Sequence, residues 1–194
     1  MPTLRGLDDI RESLRAKSNS LPPVHLWNPP YRGELDIRIH RDGTWSYEGS
    51  RIERPAIVRL FSTILRLEED GRYYLVTPVE KIGITVEDAP FLAVAVDVEG
   101  SDREQRLIFR TSVEDNVLAD ADHPIRVAVN QQTGEPSPYV HVRRRLEALI
   151  ARPVYYELAD LCVEHDLEDG PAVGVWSAGV FFPFLPSADL GMPL

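Results

Sequence analysis

The chain has 194 residues, 43% hydrophobic and 8% aromatic, which suits one compact domain or two small subdomains and excludes an intrinsically disordered protein. With 31 acidic against 21 basic residues its formal charge is −10, which argues against nucleic-acid partners held by phosphate neutralisation and against anionic membrane surfaces. A chain of this length buries roughly 70% of its unfolded surface, so it needs neither disulfides nor a structural metal to fold.

Asp8–Lys17 reads as a short amphipathic helix, with Leu7, Ile10 and Leu14 at helical spacing. Residues 18–30 follow as a connector in which Pro22, Pro23, Pro29 and Pro30 forbid regular structure and Trp27 acts as a lid or a binding surface. Leu35, Ile37 and Ile39 alternate as a strand, Asp42-Gly43 supplies a two-residue hairpin turn, and Trp45 and Tyr47 lie on the return strand. Pro55 then opens a helix whose stripe is Ile57, Leu60, Phe61, Ile64 and Leu65, ended by Glu68-Glu69-Asp70-Gly71. Strands are expected at residues 73–76, 82–86, 91–98, 105–111 and 125–129. Ser137-Pro138 is expected to start a second helix with the stripe Tyr139, Val142, Leu146, Leu149 and Ile150. Residues 154–163 read as strand, with 158–163 also compatible with helix, and residues 173–184 are apolar and β-prone.

One pattern appears twice. Ile37-Arg38-Ile39, Pro55, Tyr73-Tyr74 and Ile82-Gly83-Ile84 are followed in the same order by Ile125-Arg126-Val127, Pro138, Tyr155-Tyr156 and Val173-Gly174-Val175. The expected architecture is therefore α+β, mostly antiparallel strands with one helix per repeat, as two related repeats packed as two subdomains. The segments are 1–24 (helix and connector), 25–86 (first repeat) and 87–194 (second repeat), and the expected binding site is an apolar crevice between the repeats.

Signatures of known chemistry are absent. There is no glycine-rich phosphate loop, no Gly-x-Ser-x-Gly elbow, and no paired His or Cys spacing for a metal, so the sequence names no cofactor. The single cysteine, Cys162, permits no intrachain disulfide, fits a reducing compartment, and sits in an acidic neighbourhood that suits a packing residue better than a nucleophile. Asp120, Asp122 and His123 could serve acid–base chemistry, but they also make an ordinary polar turn. Arg143-Arg144-Arg145 reads as a solvated helix face. Thr77-Pro78-Val79-Glu80-Lys81 stands out, because it sets a hydroxyl, a carboxylate and an ammonium at an irregular point after a strand. No apolar run approaches the ~20 residues of a spanning helix, no signal-peptide core follows Met1-Pro2-Thr3, and the expected location is the cytoplasm.

The segments His25-Leu26-Trp27-Asn28-Pro29-Pro30, Asp42-Gly43-Thr44-Trp45, Tyr74 to Lys81 and Val86-Glu87-Asp88-Ala89-Pro90-Phe91 carry a resemblance. They are similar to a bacterial family of uncharacterised proteins, domain of unknown function twelve-eighty-five, over essentially the whole chain and with no clear departure from its pattern. The resemblance implies repeated α+β motifs in two subdomains and a part in signal transduction through ligand or partner binding; it brings no catalytic residues. It draws attention to Trp27, Asn28, Trp45, Thr77, Glu80, Lys81 and Asp88 as ligand-binding positions. The expectation is a cytoplasmic, non-catalytic module for a small-molecule ligand or protein partner, with Trp27 and Trp45 as apolar walls and Glu80, Lys81 and Asp88 as orienting groups. An enzyme with a hydrolase-like Asp/His site and a protein-interaction scaffold are the alternatives. Oligomeric state is left open.

Overall fold

The computed structural model describes residues 21–130, 132–168 and 170–186; the helix expected over Asp8–Lys17 lies outside them. The chain divides into two compact units, residues 1–88 and 89–194. Strands dominate, with one α-helix in each unit among the described residues, so the fold is α+β.

The first unit runs β1 (Tyr31–Ile39), β2 (Trp45–Tyr47), β3 (Ser50–Arg51), α1 (Pro55–Thr63), β4 (Leu65–Leu67), β5 (Tyr73–Val76) and β6 (Lys81–Val86). These strands form one sheet in the order β3-β2-β1-β6-β5-β4, two antiparallel meanders joined by the parallel pair β1 and β6. The period of two puts Ile37, Ile39, Trp45, Leu65, Leu75 and Ile84 on one face, all buried. The opposite face carries Arg38, Ser46, Arg66, Tyr74, Lys81 and Gly83. Gly43, at φ +80°, closes the first hairpin as part of a longer loop than a two-residue turn, with the His40 N–H on Thr44 O (2.9 Å) and the Gly43 N–H on His40 O (2.9 Å).

Helix α1 begins at Pro55 as the sequence indicates, but it stops at Thr63. The hydroxyls of Ser62 and Thr63 turn back onto Arg59 O and Leu60 O, each at 2.7 Å, and compete with helix propagation. Leu65 consequently starts β4 and does not extend the helical stripe.

In the second unit β7 (Phe91–Glu99), β8 (Arg106–Thr111), β9 (Asn116–Leu118), β10 (Ile125–Val129), β11 (Pro136–Arg143) and β12 (Leu146–Ile150) form a sheet in the order β10-β11-β12-β7-β8-β9. Read from β9, this is the topology of the first sheet, again with a parallel central pair, β12 and β7. Helix α2 (Arg152–Asp160) and a three-stranded sheet of β13 (Val163–Leu167), β14 (Gly170–Ser177) and β15 (Val180–Pro186) complete the unit. Ser177, fully buried, holds that sheet to the larger one: its Oγ accepts the Leu107 N–H (2.9 Å) and donates to Ala119 O (2.6 Å).

The duplication is therefore real, but its equivalences differ from those read in the sequence. Strand β1 corresponds to β7 and β6 to β12, whereas Pro138 lies in a strand and Tyr155-Tyr156 in a helix. Residues 139–150 are not helical. Val140 and Val142 alternate on β11, Leu146, Ala148 and Ile150 alternate on β12, and all five are buried. Arg144, at φ +54°, makes the turn between these strands, so the arginine run is a hairpin tip. The helix sits instead at 152–160, opened by Arg152-Pro153 under the same first-turn proline rule.

Candidate functional site

The polar face of the first sheet carries a linked set of charges. Arg66, Tyr74 and Gly83 lie directly across β4, β5 and β6, and Gly83 pairs with Glu34 on β1. Lys81, one pleat along β6 from Gly83, gives its Nζ to Glu68 Oε2 at 2.6 Å, and Arg66 Nη2 binds Glu68 Oε1. Burial works to raise the Glu68 carboxyl, but the bonds from Lys81 and Arg66 outweigh it and hold it below the usual range. Lys81 also stands over the Tyr74 ring, 4.6 Å from its centroid. The Tyr74 phenol donates to Asp70 Oδ2 (2.7 Å); that bond, followed by burial, pushes its pKa up to about 12. Arg72 joins Glu34, which also accepts from the Tyr31 hydroxyl. A Cβ at Gly83 would meet the Glu34 carboxylate, the end of a half-exposed side chain that would have to swing aside.

The proline-rich segment straps one end of this face. Arg66 Nη1 donates to Val24 O (2.8 Å) and Trp27 O (2.7 Å), the Lys81 N–H reaches Pro30 O (3.0 Å), and Val24 is fully buried. Trp27 is partly exposed and Asn28 exposed. Thr77 is buried and structural: its Oγ1 accepts from the N–H groups of Val79 (3.3 Å) and Glu80 (3.2 Å), which closes the turn ahead of β6 and leaves Glu80 half-buried beside Lys81.

The seven positions singled out in the sequence thus fall in three places. Trp27, Asn28, Thr77, Glu80 and Lys81 gather at the start of β6. Trp45 is a core residue on the apolar face, 1% exposed, and Asp88 lies past the other end of β6, about 20 Å along the strand, where it pairs with Arg41 Nε at 3.1 Å. Arg66, Glu68 and Tyr74 were missed in sequence, since only strand register puts them beside Lys81. Around Asp88 a second polar set was also missed: the His40 ring lies between Glu87 Oε1 (Nδ1, 3.0 Å) and Ser46 Oγ (Nε2, 2.9 Å).

In the second unit His123 Nδ1 donates to Asp120 Oδ1 (3.1 Å), but the same oxygen also accepts the N–H groups of Asp122 (2.9 Å) and His123 (2.8 Å). That carboxylate shapes its own turn. His141 turns both ring nitrogens toward backbone carbonyls, Asp122 O (3.0 Å) and Arg144 O (2.5 Å). Burial pushes the Cys162 thiol up to about 11, the reverse of what a nucleophile needs. Among the described residues no group of three or more His, Cys, Asp or Glu side chains is placed to hold a metal ion. No helix among them is long and apolar enough to cross a membrane.

Residues 22–89 match the domain of unknown function (DUF1285), N-terminal domain, and residues 90–184 match the protein of unknown function (DUF1285), C-terminal domain. The chain belongs to the DUF1285 family. Among solved structures this DUF1285 chain is similar to a DUF1285 family protein from Silicibacter pomeroyi DSS-3, at 54% identity and a TM-score of 0.83, covering 93% of this chain and 96% of that one. It is also similar to a DUF1285 family protein from Shewanella baltica OS155, at 28% identity and a TM-score of 0.50, covering 65% of this chain and 91% of that one. No curated protein matches the chain.

Proposed function

We propose that this DUF1285 protein is a small-ligand-binding module with a part in signal transduction, and that it takes an anionic small molecule at the strapped edge of the first sheet. The observation that carries this reading is the convergence of Arg66 and Lys81 on one carboxylate, Glu68, in a chain whose net charge is −10. Glu68 occupies the place that a ligand carboxylate or phosphate would take, and it is 22% exposed, within reach of solvent. Trp27 offers a partly exposed ring, Asn28 and Glu80 supply orienting groups, and Thr77 positions Glu80 through the turn.

Thermal denaturation in the presence of small carboxylates and phosphate esters tests this. A ligand at one hundred times its Kd stabilises by about 2.7 kcal/mol and raises Tm by several degrees. The shift is expected for the native protein and lost in Glu80→Ala/Lys81→Ala; an equal shift in both removes the site.

One observation favours a protein partner as a second reading. On the three-stranded sheet His165, Trp176 and Phe181 cluster with ring centroids 4.9 to 5.3 Å apart, beside exposed Val163 and Leu167. Light scattering would then find an oligomer that Trp176→Ser returns to monomer; a monomer at all concentrations removes self-association as the partner.

A further inference from the structure

We propose that the other end of the first sheet's polar face is an esterase-type site, with Ser46 as nucleophile, His40 as its general base and Glu87 as the carboxylate that orients His40. It stands apart from the anion site above, whose failure would leave it intact. Three adjacent strands build it. Ser46 on β2 lies directly opposite Arg38 on β1, and Arg38 opposite Thr85 on β6, so the residues at either side of that row, His40 and Glu87, share one face with them.

Hydrogen-bond logic fixes the roles. Glu87 accepts the Arg41 N–H (3.1 Å) at one oxygen, and that bond leads the causes that hold its carboxyl below the usual range. An ionised carboxylate can only accept, so the His40 nitrogen 3.0 Å from its other oxygen, Nδ1, must be the donor. In the neutral ring Nε2 is then an acceptor, and Ser46 Oγ, 2.9 Å away, donates its proton to it. This is the tautomer and the order of contacts that an activated serine requires.

Access restricts what the site can take. The His40 and Glu87 side chains are 34% and 36% exposed, whereas Ser46 as a residue is 8% exposed, which limits substrates to esters of short acyl groups. In the reaction Ser46 Oγ bonds to the ester carbonyl carbon as its proton passes to His40 Nε2. The carbon–oxygen bond to the alcohol breaks, and the departing alkoxide takes that proton. Water then attacks the acyl-serine by the same route, releasing the acid and restoring the hydroxyl. Arg38, across the hairpin from Ser46, pairs with Glu87 Oε1 through its Nη1 at 3.6 Å and so helps hold the carboxylate that orients His40.

The test uses the full chain, a fluorophosphonate probe with intact-mass and peptide analysis, and p-nitrophenyl acetate turnover. The native protein is expected to gain one adduct, on the peptide containing Ser46, and to hydrolyse the ester. Ser46→Ala should abolish both, His40→Asn should slow turnover by at least about a hundredfold, and Glu87→Gln should lower kcat with little change in KM. Thermal melts of the three variants show whether each is folded, and labelling of the native protein stands without them. No adduct on the native protein, an adduct elsewhere, or turnover unchanged in Ser46→Ala overturns the assignment.

Discussion

Glu68→Gln keeps the shape of the residue that joins Arg66 to Lys81 and removes its charge. The carboxylate receives a 2.6 Å bond from Lys81 Nζ and a second from Arg66. The side chains of Arg66, Lys81 and Glu68 are 16%, 18% and 22% exposed, between the surface and buried regimes. Surface pairs contribute about 0–1 kcal/mol and breaking a buried pair costs about 3–5, so screening sets the expected loss near 2 kcal/mol. In a chain of this size that lowers Tm by about 4–8 °C. Circular dichroism melts at pH 7 measure it, and a cycle with Lys81→Met isolates the coupling. The same variant removes the charge that competes with an incoming anion, so affinity for small anions should rise about tenfold. A stability loss under about 0.5 kcal/mol, with anion affinity unchanged, would refute the picture of two partly buried cations held by one carboxylate.

Glu68, Asp120, Asp42 and Glu87 all have carboxyls held below their usual range in the folded protein. Their contribution is therefore present above the unfolded values, 4.5 for Glu and 3.8 for Asp, and is lost as pH falls through the folded ones. Tm should be flat from pH 7 to about 5 and fall below about 4.5, less steeply in Glu68→Gln; a melt series against pH checks this. Arg144 occupies the left-handed region at φ +54°, so Arg144→Gly should raise stability by about 1 kcal/mol in urea denaturation, while Arg144→Val should lower it. Trp45→Ala should cost about 3–5 kcal/mol through an unfilled core and leave anion binding at the strap unchanged, as titration of the refolded variant would show.

Local rules carried the sequence reading where local rules decide. Pro55, the first part of the stripe that follows it (Ile57, Leu60 and Phe61), and the alternation of Leu35, Ile37 and Ile39 name their elements correctly, whereas Ile64 and Leu65 lie past the helix. The reading fails at 139–150, where Tyr139, Val142, Leu146 and Ile150 fit a helical period while the same stretch fits two strands of period two. Two β-branched valines and a turn through Arg144 settle it for strands, and only pairing with β10 and β7 makes that visible. The duplication was legible as an idea but tied to the wrong landmarks, since tyrosine pairs and prolines recur in both helices and strands. At the strapped edge, Lys81, Thr77 and Trp27 were legible as a motif. Arg66 and Glu68 were not, because they lie 15 and 13 residues earlier in the chain than Lys81 and reach it only through the β4–β5–β6 register. The His40, Ser46 and Glu87 set was hidden for the same reason, a histidine and a serine flanking a hairpin being unremarkable until β6 brings a carboxylate alongside.

Native followed by denaturing mass spectrometry of the purified protein and of Glu80→Ala/Lys81→Ala tests the binding claim most directly. The account predicts a mass excess on the native protein, lost on denaturation, belonging to an acidic small molecule and missing from the variant. An excess retained by the variant, or a bound molecule with no acidic group, would contradict it.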